Sequence, residues 1–218
     1  MDEQVRAFHE NWRSLASSLC LGEETSTSVG TYLLRQYSDP GRHYHDLRHV
    51  NSMLRGADRL EAAFRDADTA RLAIFFHDAI YDPARRDNEE RSAEAMREML
   101  AGRVDATVLD RAAAMVEATK AHQAGPDNDT DLVLDLDMAI LGQPWETYRI
   151  YARDVMREYV SVYGEAAYRK GRVAAFLEPM IARGSVFLTR EFRSLDAQAL
   201  LNMRKERDIL NDGSDVLA

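Results

Sequence analysis

Helical periodicity is the feature that most constrains how this chain can fold. Along most of the sequence, apolar residues recur at the three- and four-residue spacing of an amphipathic helix, and alternating runs of β-branched residues are few. Helix-favouring residues are abundant, and glycine and proline fall largely at the breaks between segments. The pattern predicts an all-α protein with helices near residues 2–20, 25–37, 46–62, 67–80, 88–101, 105–121, 130–140, 144–162, 165–182 and 194–211.

The domain organisation follows from the length and from the lack of internal divisions. The 218 residues suffice for one full hydrophobic core, and no polar linker, repeat or low-complexity tract separates them. We therefore expect one domain over 1–218, with the helices of 144–211 packing on the preceding part. The helix at 144–162 carries an aromatic stripe, which is typical of a helix that docks on a core. Base stacking by one of its tyrosines is the alternative.

Charge and composition limit the partners of the protein. With 37 acidic and 28 basic residues, the net charge of −9 disfavours long nucleic acids and anionic membranes. A small phosphorylated ligand stays open, because a bound cation can reverse the local field. No apolar run reaches the ~20 residues that cross a bilayer, no secretory signal is evident at the start, and Cys20 is the single cysteine. We expect a soluble cytoplasmic protein with no membrane partner, and leave its oligomeric state open, a homodimer included.

Histidines are concentrated in one short segment. Three of the six in the chain lie within 42–50. His45 and His49 are four residues apart, so on a helix they would share a face and address one site, whereas His43 precedes the helix. The alternative is a solvated helix start without a functional role.

Two further segments place polar residues inside apolar runs. His77 and Asp78 interrupt the run that begins at Leu72, and Asp135 and Asp137 lie within a second apolar segment. Burying a carboxylate costs several kcal/mol or more unless a cation or hydrogen bonds compensate for the lost hydration. Imidazoles and carboxylates together suit Mn, Fe, Co, Ni or Zn better than calcium. The alternatives are a satisfied His-Asp pair in the core and aspartates that cap a helix.

The order of these motifs resembles the HD superfamily of metal-dependent phosphohydrolases. A histidine is followed by His-Asp at the end of an apolar helix and then by a distant aspartate. The segments 42–50, 76–82, 88–93 and 134–142 look, more narrowly, like a bacterial subgroup of predicted HD phosphohydrolases. The resemblance spans 42–142 and implies a helical HD-type bundle with its motif core in that range.

The resemblance also implies a ligand set. His49, His77, Asp78 and Asp137 match the metal-binding positions of the superfamily, and Asp135 is the competing choice for the last ligand. Two residues apart on a helix, Asp135 and Asp137 cannot face the same way, so only one should bind directly. The implied cofactor is one tightly bound divalent transition metal, with a second ion bound weakly if at all.

Residues 44–49 also look like the corresponding segment of cyclic nucleotide phosphodiesterases, in which the first histidine protonates the leaving group and the second binds metal. On that likeness His45 is the general acid. Separately, Asp78 is our candidate for orienting the attacking nucleophile, because as a metal ligand it would lie beside the metal-bound water. The alternative for His45 is a structural role. An imidazole with a pKa near neutrality is suited to proton donation in phosphoester cleavage.

Basic side chains near the motifs are candidates for binding phosphate oxygens, although charged residues at helix ends are usually just solvated. These candidates are Arg42, Arg48, Lys120 and His122. His122 is also a candidate second-metal contact, and a plain helix-end histidine is its alternative.

The function that these motifs predict is hydrolysis of a phosphate ester in a small molecule, with nucleotides among the candidate substrates. Two alternatives stay open. One is a nucleotide- and metal-binding regulatory module without turnover, and the other is a different HD-fold chemistry, an oxygenase or a lyase. No Gly-rich phosphate loop, Gly-x-Ser-x-Gly elbow or cysteine-based zinc motif supports a kinase, a serine hydrolase or a zinc finger.

Overall fold

A computed structural model describes residues 2–213, and within that range it contains helices and no β-strand, which confirms the all-α prediction. The helices are α1 (Glu3–Ser18), α2 (Glu23–Tyr37), α3 (Leu47–Arg59), α4 (Ala67–Phe76), α5 (Asn88–Leu100), α6 (Ala106–Ala118), α7 (Asn128–Met138), α8 (Trp145–Tyr163), α9 (Glu165–Arg172), α10 (Glu178–Arg183) and α11 (Asp196–Asp212). None of the helices described is both long and apolar enough to cross a membrane.

Contacts divide the chain into two compact units. The first runs to Leu136 and holds α1 to α6 with most of α7, and the second begins at Asp137. The expected single domain over 1–218 stays a prediction.

Helix α4 forms the centre of the first unit. Every residue from Leu72 to Phe76 is buried, as expected of a helix that is apolar on all sides. The Phe75 ring meets the rings of Phe8 and Trp12 edge to face, at centroid distances of 5.3 and 5.2 Å. Residues from α1 therefore cover the helix that ends at the candidate site.

The start of α4 is fixed by a buried carboxylate from the start of α7. Asp129 is fully buried and accepts hydrogen bonds from the backbone N–H groups of Arg65 (2.9 Å) and Asp66 (3.0 Å). Arg111 of α6 donates to the same carboxylate at 2.7 Å. Asp66 in turn caps α4 by accepting from Thr69 N at 3.0 Å. These bonds set where α4 begins.

The end of α4 differs from the sequence-based expectation. The apolar pattern predicted a helix over 67–80, but α4 ends at Phe76, and His77 and Asp78 lie in the turn that follows. A shorter turn closes there, with Ala79 N donating to Phe76 O at 3.0 Å. The two polar residues thus leave the helix where it reaches the site.

The second unit encloses a polar network among aromatic rings. Tyr148 and Tyr151 of α8 are buried, as expected of a docking stripe. Glu206 accepts from Tyr148 Oη and pairs with Arg172, whose Nε lies 3.0 Å from Glu206 Oε1. Arg172 also donates to Tyr151 Oη at 2.8 Å. The tyrosines of the stripe therefore contribute hydroxyl groups to an internal network.

Candidate metal centre

Three of the predicted metal ligands meet in the first unit. His49 lies near the start of α3, and His77 and Asp78 directly follow α4. His77 Nε2 lies 3.1 Å from His49 Nε2 and 3.0 Å from Asp78 Oδ2, and the remaining pair, His49 Nε2 and Asp78 Oδ2, is 3.9 Å apart. The side chains of His49 and His77 are only 3% and 1% exposed, so both imidazoles are shielded from bulk water.

The three atoms have the spacing that one metal ion requires. A triangle with these sides has a circumscribed circle of radius about 2.0 Å, which matches the ~2.0–2.2 Å expected for metal bonds to histidine nitrogen and carboxylate oxygen. One ion therefore fits at bonding distance from all three atoms. Such a mixed N/O set suits a transition metal, and three protein ligands leave coordination positions for water or substrate.

A hydrogen bond fixes the orientation of the His77 ring. His77 Nδ1 lies 2.8 Å from the main-chain oxygen of Ile74, one turn earlier in the chain. A carbonyl oxygen can only accept, so Nδ1 donates. In a neutral ring this leaves the lone pair on Nε2, the atom that faces His49 and Asp78. Metal-binding histidines are commonly oriented in this way.

Charge favours the ligand form of Asp78. Burial alone would raise the pKa of its carboxyl, but without a metal the protonated forms of His77 and His45, together with a hydrogen bond from protonated His77, outweigh burial and hold that pKa well below its usual range. The carboxylate is therefore ionised at neutral pH, the form that binds a cation.

His45 lies beside this cluster, although for a different reason than the sequence suggested. Helix α3 begins at Leu47 with Asp46 as its N-cap, so His45 precedes the helix and the four-residue spacing on one helical face does not apply. Its ring is 5.8 Å from that of His49 and stacks on Tyr81 at 4.3 Å, measured between centroids. The turn before α3 thus brings His45 next to a ligand.

Arg42, a predicted phosphate ligand, is buried and directed to the main chain. Its Nη1 donates to the carbonyl oxygens of Asp78 (2.6 Å) and His45 (3.1 Å), and its Nη2 donates to that of Ala79 (3.2 Å). The side chain therefore ties the segment before α3 to the turn after α4.

The other predicted phosphate ligands lie on the surface or in loops. Arg48 is exposed and pairs with Asp46 at 2.9 Å. Lys120 is bonded to Glu90 at 2.5 Å, which links the end of α6 to the start of α5. His122 lies in the loop after α6 with a left-handed backbone, φ 46°. Phosphate binding by these residues stays a prediction.

The fourth ligand also stays a prediction. Among residues 2–213, the ligand atoms found within 4.8 Å of one another belong to His49, His77 and Asp78. Asp135 is buried near the end of the first unit, and Asp137 is the first residue of the second.

Sequence reasoning missed the residues that fix the loop after Asp78. Ser92 Oγ accepts from Ile80 N at 2.9 Å, and Asn88 exchanges two hydrogen bonds with the Asp82 backbone, at 3.2 and 3.0 Å. Both polar residues are buried at the start of α5, in the segment 88–93. That segment belongs to the motif resemblance, which was the available signal.

Glu89 of the same helix is a partly buried carboxyl near the cluster. Burial raises its pKa, and the negative charge of Asp78 raises it further.

The HD likeness rests on these motifs alone. No protein-family model matches the chain, and no curated protein sequence matches it either. The segments within 42–142 and the geometry of their side chains are therefore the basis for a functional proposal.

Proposed function

We propose that this protein is a metal-dependent phosphohydrolase that acts on a small phosphorylated molecule, with nucleotides among its candidate substrates. The observation that carries the proposal is the convergence of His49 Nε2, His77 Nε2 and Asp78 Oδ2 on one point at metal-bonding distance. The likeness of the motifs to HD phosphohydrolases supplies the reaction class, which the ligand geometry alone leaves open.

The ligands have a defined task in this reaction. A divalent transition metal held by them supplies the Lewis acidity that activates water and stabilises charge on the phosphoryl group. His49 and His77 contribute neutral nitrogen donors, and Asp78 contributes a negative charge that is already ionised at neutral pH. The resemblance adds Asp137 as the last ligand, and the place of Asp78 beside a metal-bound water gives it the second task of orienting that water.

His45 is the proton donor in this proposal. Cleavage of a phosphate ester leaves an alkoxide that must be protonated, and an imidazole near neutrality can do so. The His45 ring is adjacent to that of His49, and its stacking on Tyr81 limits its rotation. The donor is therefore held next to a ligand, where a leaving group would depart.

The test combines metal analysis with a hydrolysis screen. Metal-stripped protein is reconstituted with Mn, Co or Ni and assayed on nucleotides, sugar phosphates and an aryl phosphate. We expect stoichiometric metal and metal-dependent phosphate release. His45→Ala should keep the metal but lose turnover, Asp78→Ala should lose both, and His43→Ala is the matched control.

Two outcomes would contradict the proposal. A protein that binds no metal after reconstitution has no such centre. Stoichiometric metal without turnover on any substrate would favour a regulatory module or a different HD-fold chemistry.

A further inference from the structure

Two side chains outside the ligand set hold the peptide groups of Asp78. The first is Tyr37, the last residue of α2, which is almost fully buried. Its hydroxyl accepts a hydrogen bond from Asp78 N at 3.3 Å and donates one to Phe75 O at 3.1 Å. Tyr37 thereby connects the last turn of α4 to the backbone of the ligand that follows it.

The second is Arg42, which acts on the other side of the same residue. Its Nη1 donates to Asp78 O at 2.6 Å, and its Nη2 donates to the next carbonyl, Ala79 O, at 3.2 Å. With only 8% of the residue exposed, its guanidinium makes these bonds largely away from competing water. The planar guanidinium of arginine carries N–H donors on separate nitrogens and can donate to two adjacent carbonyls, whereas the single ammonium nitrogen of lysine lacks this arrangement.

Tyr37 and Arg42 also contact each other. The Cζ atom of Arg42 lies 5.2 Å from the centre of the Tyr37 ring, within the range of a cation–π interaction. We call this pair the Asp78 clamp. It holds the N–H of Asp78 with one member and the C=O with the other.

The turn at Asp78 needs such a clamp. Asp78 lies beyond the end of α4, where a regular helical ladder no longer fixes the backbone. A metal bond tolerates deviations of only about 0.2 Å, so a ligand in a loosely held turn would have to be ordered when the ion binds. The clamp orders this backbone before any ion arrives.

We propose that Tyr37 and Arg42 are positioning residues that hold Asp78 in register with His49 and His77, and that Arg42 acts through the main chain rather than on the phosphate. The inference rests on the metal centre of the proposed function but not on hydrolysis. It predicts that the affinity for metal depends on two residues outside the set of His49, His77 and Asp78.

Cobalt binding to the full-length protein without substrate tests the proposal. Co²⁺ affinity is measured by chelator competition, with visible absorption to report the ligand geometry, for wild type, Arg42→Lys and Tyr37→Phe. Loss of outer-shell partners typically weakens metal binding about 10- to 100-fold, so we expect roughly tenfold or more for Arg42→Lys. Tyr37→Phe removes one hydroxyl and should weaken binding about threefold or more.

Arg13→Lys is the matched control. Arg13 of α1 also donates to a main-chain oxygen, that of His9 at 3.4 Å, but it is exposed and belongs to none of the candidate sites. Its cobalt affinity should stay within about twofold of wild type.

The opposing results are distinct. Unchanged cobalt affinity in folded Arg42→Lys and Tyr37→Phe would overturn the proposal, and loss of inorganic phosphate binding alone would assign Arg42 to the phosphate instead. If Arg42→Lys does not fold, as judged by circular dichroism, Tyr37→Phe decides. A wild type that binds cobalt but releases no phosphate would refute the proposed function and leave this comparison valid.

Discussion

Metal binding should stabilise the first unit, because its ligand atoms come together only when the chain is folded. Residue 49 and residues 77–78 are far apart in the unfolded chain, and only the folded unit brings their ligand atoms within 4.8 Å. An ion therefore binds the folded state selectively. At a free metal concentration of 100 times Kd, the free energy of unfolding should rise by about 2.7 kcal/mol.

The corresponding shift in melting temperature is large enough to measure. For a unit that runs to Leu136, about 1 kcal/mol changes Tm by roughly 3 to 5 °C. Saturating metal should thus raise Tm by roughly 8 to 13 °C. His77→Ala or Asp78→Ala removes one of the three ligands that converge in the first unit, and the Tm of either variant should shift by less than about 2 °C at the same metal concentration.

Scanning calorimetry of metal-stripped protein, with and without Mn or Co, provides the measurement. Each variant is compared with itself, because His77→Ala also removes a buried ring and lowers Tm without metal. His43→Ala is the control, since His43 lies in the same segment but outside the cluster, and it should keep the full shift. A full metal-dependent shift in Asp78→Ala, or its loss in His43→Ala, would refute the ligand assignment.

Three further predictions concern other buried charges. Glu206→Gln leaves the buried guanidinium of Arg172 without its carboxylate partner, so urea denaturation should show a free energy of unfolding lower by about 3–5 kcal/mol. Replacing both residues by Met should restore most of that loss. A loss below about 1 kcal/mol for Glu206→Gln would contradict the prediction. Asp129→Asn should lower the free energy of unfolding by about 2–4 kcal/mol in the same assay, because the carboxylate accepts hydrogen bonds from two backbone N–H groups and from Arg111. An unchanged free energy of unfolding would contradict that role. The raised pKa of Glu89 favours folding below its unfolded pKa of about 4.5, and this contribution is lost as the pH rises through the higher folded value. Without metal, Glu89→Gln should therefore be more stable than wild type near pH 7 and as stable as wild type near pH 4. Equal stability of the two proteins at both pH values would contradict the raised pKa of Glu89.

The fold was largely predictable because helical periodicity records burial along the chain itself. The run from Leu72 to Phe76 predicted a fully buried helix, and α4 is one. The end of that helix was not predictable, because Ala79 and Ile80 continue the apolar pattern. The turn after Phe76 is held by hydrogen bonds between its backbone and the side chains of Tyr37 and Arg42. No local sequence pattern indicates such a partner some forty residues away.

The sequence also indicated some residues of the candidate site but not the contacts that hold them. His77 and Asp78 were conspicuous because a polar pair inside an apolar run implies compensation for burial. Arg42 was predicted to bind phosphate because it is a basic residue beside a histidine motif, and that stays a prediction. Its partners are main-chain carbonyls, which every residue carries, so nothing in the sequence distinguishes this arrangement from an exposed arginine.

The hydrogen-bond inventory of the cluster bears on the choice between a metal site and a satisfied core pair. His77 uses its Nδ1 proton on Ile74 O, so a neutral ring presents only a lone pair to Asp78 Oδ2, at 3.0 Å, and to His49 Nε2, at 3.1 Å. A protonated His77 would donate to Asp78 Oδ2, and which nitrogen donates between His49 and His77 depends on the tautomer of His49. A single cation at about 2.0 Å satisfies all three atoms at once. The spacing therefore fits one metal ion, and the difference in Tm with and without metal measures whether an ion binds the folded protein.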